Sequence, residues 1–205
     1  LYSSAASDVY KRQRPSTDNS RRLNDGVESK TVPFINANRS SAWDLTPYDR
    51  TLLIDSDYLI FSSTLSEYWN YESSFMISSA MNDLRGDRKG VLDSWVSDEG
   101  IPLYWATNIM FTKNQESKLY FDLVKSIKEN YQIYAEIYRF DSRIYRNDIA
   151  FSIAKHIVEG FITLPTNNLP PILTAQDKDL IAAVRKSGLT MLIQDTLSNL
   201  SLIHI

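Results

Sequence analysis

The sequence predicts an α/β domain, and three observations carry that prediction. A continuous apolar run of strand length, "TLLID" (51–55), has the pattern of a strand covered on both faces. Two segments downstream, 116–131 and 147–160, place apolar residues at helical spacing. Shorter strand-like runs alternate with these helices, the order expected of layered α/β or α+β architecture.

In chain order, the ends come first. The start, "LYSSAASDVYKRQ", contains a stretch that reads as a translated sequencing adapter, and the end is "LSLIHI". DVYKRQ can be encoded as GAT GTG TAT AAG AGA CAG, whose reverse complement translates as LSLIHI. Residues 1–13 and 200–205 are therefore set aside as adapter-derived, leaving 14–199 as one domain expected to be truncated at both ends. His204 falls in the adapter, so His156 is the one remaining histidine.

Residues 14–30 are polar and read as loop, and "VPFIN" (32–36) is a strand candidate. "TPYDRT" (46–51) is a turn leading into the strand "TLLID". "STLSEYW" (63–69) is a short helix capped by Ser63 or Thr64, and "SFMIS" (74–78) is a strand. Residues 81–100, charged and punctuated by glycine, read as surface loop. "IPLYWATNIMF" (101–111) is one long strand or two short ones. In the helix 116–131 the apolar face is expected at Leu119, Leu123, Val124, Ile127 and Tyr131. "IYAEIYRF" (133–140) fits either structure. The helix 147–160 is expected to be capped by Asn147 or Asp148 and closed by Gly160, with His156 a packing residue. "TNNLPPILT" (166–174) is a connection broken by prolines, and 175–188 is expected to be a third helix closed by Gly188.

Composition narrows the chemistry. Among 205 residues, 43% hydrophobic and 23% charged content describes an ordinary soluble chain, and no apolar run approaches the ~18 residues that span a bilayer. A net charge of −3 argues against a phosphate-binding surface for nucleic acid. Without cysteine there are no disulfides, thiolate nucleophiles or cysteine zinc sites, which suits a cytoplasmic setting. Any metal must then sit on oxygen ligands, and Mg²⁺ or Mn²⁺ are the hard cations that suit them.

The residues that carry chemistry stand at the end of the buried-type strand: Asp55 and Asp57, one residue apart. Ligands of open α/β sheets gather beyond the carboxyl ends of strands. Two carboxylates there could hold a divalent cation that neutralises a nucleoside diphosphate. An isolated Asp-x-Asp is weak, since a strand that simply ends in a polar loop looks the same. The apolar lead-in raises its weight, because carboxylates beside a buried strand need a partner.

"YDRTLLIDSDYLIFSSTL" (48–65) resembles the metal-binding segment of GT-A type glycosyltransferases, which use nucleotide-sugar donors. "IPLYWATNIMFTKN" (101–114) resembles the segment lining their donor-sugar pocket, and "YRNDIAFSIAKHIVEG" (145–160) resembles the helix start that carries an acidic residue near the sugar. The likeness is sharpest to glycosyltransferase-like proteins of bacterial viruses and covers about 32–160. It implies a GT-A-like, Rossmann-like mixed sheet flanked by helices. It also implies Mn²⁺ or Mg²⁺ at Asp55 and Asp57, a UDP-sugar as the foremost donor, a glycan or other hydroxyl acceptor, and the cytoplasm of an infected bacterium. Arg39, in "NANRS", would face the nucleotide or diphosphate; Thr107 and Asn108 would face the sugar; Asp148 would contact the sugar or act as base for the acceptor hydroxyl. Against these stand plainer roles: a surface arginine, ordinary strand residues, a helix cap, and for Trp105 a core position. The chain departs from the family in lacking a late histidine as a further metal ligand, and in having little sequence before Val32 to hold a first nucleotide-binding strand.

Two other readings are open. A phosphatase of the haloacid-dehalogenase type would use Asp55 as nucleophile, but Leu59 stands where that motif has Thr or Val. A non-catalytic viral relative would keep the fold as a binding or structural module.

Overall fold

The computed structural model describes residues 20–24, 29–33, 35–56, 58–60, 62–84, 94–97, 100–140, 145–162, 168–175, 180–185, 188–194 and 200–204. It is a mixed α/β protein with small sheets and five α-helices among those residues. The sheet that matters here has the order β3-β6-β4, formed by Arg50–Ile54 (β3), Phe75–Ser78 (β4) and Trp105–Thr112 (β6). β6 runs down the middle, antiparallel to both neighbours, with Leu53 opposite Ile109 and Ile77 opposite the same residue from the other side.

Period-two alternation along β6 gives the sheet two buried faces. Ile109 and Phe111 point to the face where the helices Gln115–Glu129 (α3) and Asn147–Val158 (α5) pack. There Phe121, Val124 and Ile127 from α3 meet Ile149, Phe151 and Ile153 from α5, over Phe75, Ile77 and Phe111 from the sheet. Phe121 sits edge-on to Phe75, Phe111 and Phe151 at centroid distances of 6.0, 4.7 and 5.6 Å. On the opposite face Met76 and Met110 pack with Leu65 and Leu169, and with half-buried Leu52, Tyr58 and Tyr68. Segments of irregular chain and the short helix Thr64–Glu67 (α2) supply that cover.

The apolar run "TLLID" is thus a strand, but at the edge of the described sheet rather than its centre, and every residue of β3 is half-buried. An edge strand can still be apolar when both faces are covered, which is the case here.

Several elements differ from the sequence reading. The helix expected over 175–188 is not found at its described residues: Leu180–Arg185 (β8) and Gly188–Gln194 (β9) are antiparallel strands, and Leu200–His204 (β10) pairs with β9. The run "LIAAV" satisfies helical spacing and a buried strand equally, and pairing with β9 decides it. The set-aside tail therefore forms a strand. The loop expected over 81–100 begins with Met81–Asp83 (β5), parallel to Ile172–Thr174 (β7) from the proline-broken connection. Residues 85–93 and 98–99 of that loop lie outside the described residues. "VPFIN" does not form one strand, because Ser29–Pro33 (β2) pairs with Ser20–Asn24 (β1) and ends at Pro33, and a 3₁₀ stretch runs from Ile35 to Ser41 into the short helix Ala42–Leu45 (α1).

The ambiguous segment is helical, Tyr131–Tyr138 (α4), closed by Arg139 in the left-handed region at φ 55°. Helix α3 starts with a capping box: the Asn114 side chain accepts from the Ser117 N–H at 2.9 Å while Ser117 Oγ accepts from the Asn114 N–H. Its buried arc is Tyr120, Phe121, Val124 and Ile127, whereas Leu119 is 49% exposed and does not belong to it. The cap residue of α5 is Arg146, and neither Asn147 nor Asp148 occupies that position. Gly160 does end α5: with φ 77° it opens a left-handed turn in which the Phe161 N–H reaches back to His156 O. His156 packs edge-on between Tyr138 and Phe161, as expected of a packing residue. Among the described residues, no helix is long and apolar enough to cross a membrane.

Candidate functional site

β3 ends at Ile54, so Asp55 emerges beside the start of β6, where its N–H donates to Thr107 O at 3.1 Å. The 3₁₀ stretch Ile35–Ser41 brings Arg39 to the same place from the other side. Arg39 Nη1 donates to Asp55 Oδ1 at 2.5 Å and Nη2 to Thr107 O at 2.9 Å. The arginine side chain is only 4% exposed, and its buried Nε has no hydrogen-bond partner among the described residues. The expected surface arginine is therefore an interior one, fixed by a charge-assisted bond to the first carboxylate of the Asp-x-Asp pair.

Asp148 arrives from the first turn of α5. Its Oδ1 accepts the Ala106 N–H at 2.9 Å, and its Oδ2 lies 3.7 Å from Arg146 Nη2. The carboxylate thus ties the start of the helix to the start of β6 instead of capping its own helix. Burial pushes the Asp148 carboxyl above the ordinary carboxylate range, and the Asp55 charge adds to that. Arg146, the Ala106 N–H and Arg39 pull in the opposite direction. The Ala106 N–H that Asp148 accepts and the Thr107 carbonyl that Arg39 and Asp55 donate to belong to adjacent residues of β6, so the three groups stand at one end of that strand.

Thr107 contributes its carbonyl, which accepts from two donors. Asn108, opposite Ile54 in the register, shares a face with Met110 and is fully buried. Neither polar atom of its amide has a hydrogen-bond partner among the described residues. A buried amide left this way costs about 1–3 kcal/mol, which makes it a position to explain by ligand or water. Trp105 is half-buried with the Arg146 guanidinium 5.7 Å from its ring centre, so the indole is occupied as a cation–π partner. Arg146 was not singled out by the sequence reading; its place directly before the Asn-Asp of the helix start was the available signal.

Asp57, the second expected metal ligand, lies outside the described residues. Among the described residues no group of three or more His, Asp or Glu side chains is arranged to hold a metal. Asp55 offers the carboxylate oxygens that Mg²⁺ and Mn²⁺ take, so the donor chemistry at this corner fits a hard cation, with Arg39 sharing the same carboxylate. Four of the expected site residues, Arg39, Asp55, Thr107 and Asp148, therefore converge from four separate stretches of chain. Compared with family models, curated proteins and solved structures, the chain shows no significant match to any of them.

Proposed function

We propose that this chain is part of a GT-A type glycosyltransferase that moves a sugar from a nucleotide-diphosphate donor, foremost a UDP-sugar, to an acceptor hydroxyl in the cytoplasm of a virus-infected bacterium. The observation that carries the reading is that Arg39 and Asp55 meet at the Thr107 carbonyl while Asp148 accepts from the adjacent Ala106 N–H, at the end of a strand followed by a second aspartate. Arg39 supplies a forked donor suited to a diphosphate oxygen. Asp55 and Asp57 would hold Mn²⁺ or Mg²⁺, which supplies Lewis-acid stabilisation of the leaving diphosphate. Asp148, with its proton affinity raised by burial, is suited to accept the proton of an acceptor hydroxyl.

The test is calorimetric titration of UDP with Mn²⁺ present and then with chelator, repeated on Asp55→Asn/Asp57→Asn. Metal-dependent binding in the native sequence, weakened at least about tenfold in the double variant (roughly 1.4 kcal/mol), is the expected result. Binding that persists unchanged in the double variant overturns the metal site. Absence of UDP binding in the parental full-length protein overturns the transferase reading.

A further inference from the structure

We propose that Arg39 is a built-in counter-ion that competes with a divalent cation for Asp55, so that the cation binds strongly only together with a diphosphate that takes over the arginine's charge. This rests on the nucleotide-sugar reading above and adds to it an order of events. Arg39 Nη1 stands 2.5 Å from Asp55 Oδ1, and the guanidinium is 4% exposed. It is held there by a second bond, from Nη2 to Thr107 O. A dication approaching Asp55 alone therefore meets a fixed positive charge already on its ligand oxygen, in a partly buried setting where water screens poorly.

The neighbouring pair gives the same balance. Arg146 stands against Asp148, so the described charges at this corner are two arginines and two carboxylates. A cation and a diphosphate arriving together bring opposite charges to this corner: the cation takes the Asp55 oxygen and the guanidinium turns to phosphate. Arg39 is equipped for that exchange by its buried Nε, which has no partner among the described residues and is a donor that a phosphate oxygen can satisfy. Linkage makes the effect reciprocal: the diphosphate tightens the cation by the same factor as the cation tightens the diphosphate.

The deciding experiment measures Mn²⁺ alone, by the electron paramagnetic resonance signal of free Mn²⁺, on the native chain, Arg39→Gln and Arg39→Lys. Arg39→Gln should bind Mn²⁺ at least about tenfold more tightly than the native chain, a difference of roughly 1.4 kcal/mol. Arg39→Lys, which keeps the charge, should stay close to native. Equal Mn²⁺ affinity in native and Gln forms, with Mn²⁺-dependent UDP binding intact, overturns the counter-ion role and leaves the transferase reading standing. Mn²⁺ binding by none of the three, with or without inorganic pyrophosphate, overturns both. Should Arg39→Gln fail to fold, Mg²⁺ titration of the native chain decides: the Arg39 Nε nuclear magnetic resonance signal should move with saturation, and a signal that stays fixed while Mg²⁺ binds overturns the proposal.

Discussion

Lys155 is 1% exposed, a basic side chain on the packed side of α5. Its ammonium pairs with Glu159 one turn later and lies 5.2 Å from the centre of the Tyr104 ring. A buried ion pair contributes little net stability, but removing one partner leaves the other buried and unmatched. Lys155→Met is therefore expected to cost about 3–5 kcal/mol. The double variant Lys155→Met/Glu159→Gln should recover most of that loss, as measured by urea unfolding. Asp148 makes the complementary pH prediction. Its folded proton affinity is raised, so the native state binds more protons than the unfolded one, and stability falls as pH rises from the ordinary aspartate range through the folded value. Asp148→Asn keeps an oxygen for the Ala106 N–H and should flatten that slope, checked by unfolding midpoints at mildly acid and neutral pH. At this scale the sequence was informative about which carboxylates matter and silent about their partners. Asp55 and Asp148 stood out by position, but that Arg39 would be interior followed only from the tertiary route of a short 3₁₀ stretch.

Elements explain where the sequence was legible and where it was not. The helices α3 and α5 were visible because each is more than ten residues long with a repeating apolar arc. Their details were not, since Tyr120 and Leu119 are adjacent apolar residues and only the packing partner decides which turns inward. β8 escaped detection for a related reason: "LIAAV" carries no period long enough to separate strand from helix, and a hairpin partner settles it. The cap of α3 makes a prediction at this scale. Asn114 accepts from Ser117 N–H and also donates to Ser74 Oγ at 2.9 Å, joining the helix start to the approach of β4. Asn114→Ala should lower stability by about 1–2 kcal/mol, read as a shift in urea midpoint at unchanged slope. Ser117→Ala should cost at least as much, because the fully buried Ser117 Oγ also donates to Thr112 O and accepts from Trp43 Nε1.

For the molecule as a whole, the α/β class followed from the alternation of patterns, while the finer topology depended on pairings far apart in sequence. The antiparallel β3-β6-β4 order joins residue 50 to residue 112 and residue 75 to residue 111, separations that local periodicity does not encode. The same long-range pairing ties the candidate site to the core. Asp55 and Thr107 stand at the end of β3 and β6, and Asp148 on a helix packed over β6, so disturbing the shared core should reach the site. Phe121 is the point to press, being fully buried and edge-on to rings from β4, β6 and α5. Phe121→Ala is expected to cost about 3–5 kcal/mol, through lost burial and the cavity left among the three rings. The described core lies wholly between Ala42 and Ile172, so deleting residues 200–205 removes the β9–β10 pairing and no residue of that described core. That deletion should leave the main unfolding transition and the amide exchange protection of β6 essentially unchanged, whereas Phe121→Ala should weaken both. Loss of β6 protection on deleting the tail would show instead that the terminal strand belongs to the same cooperative unit as the site.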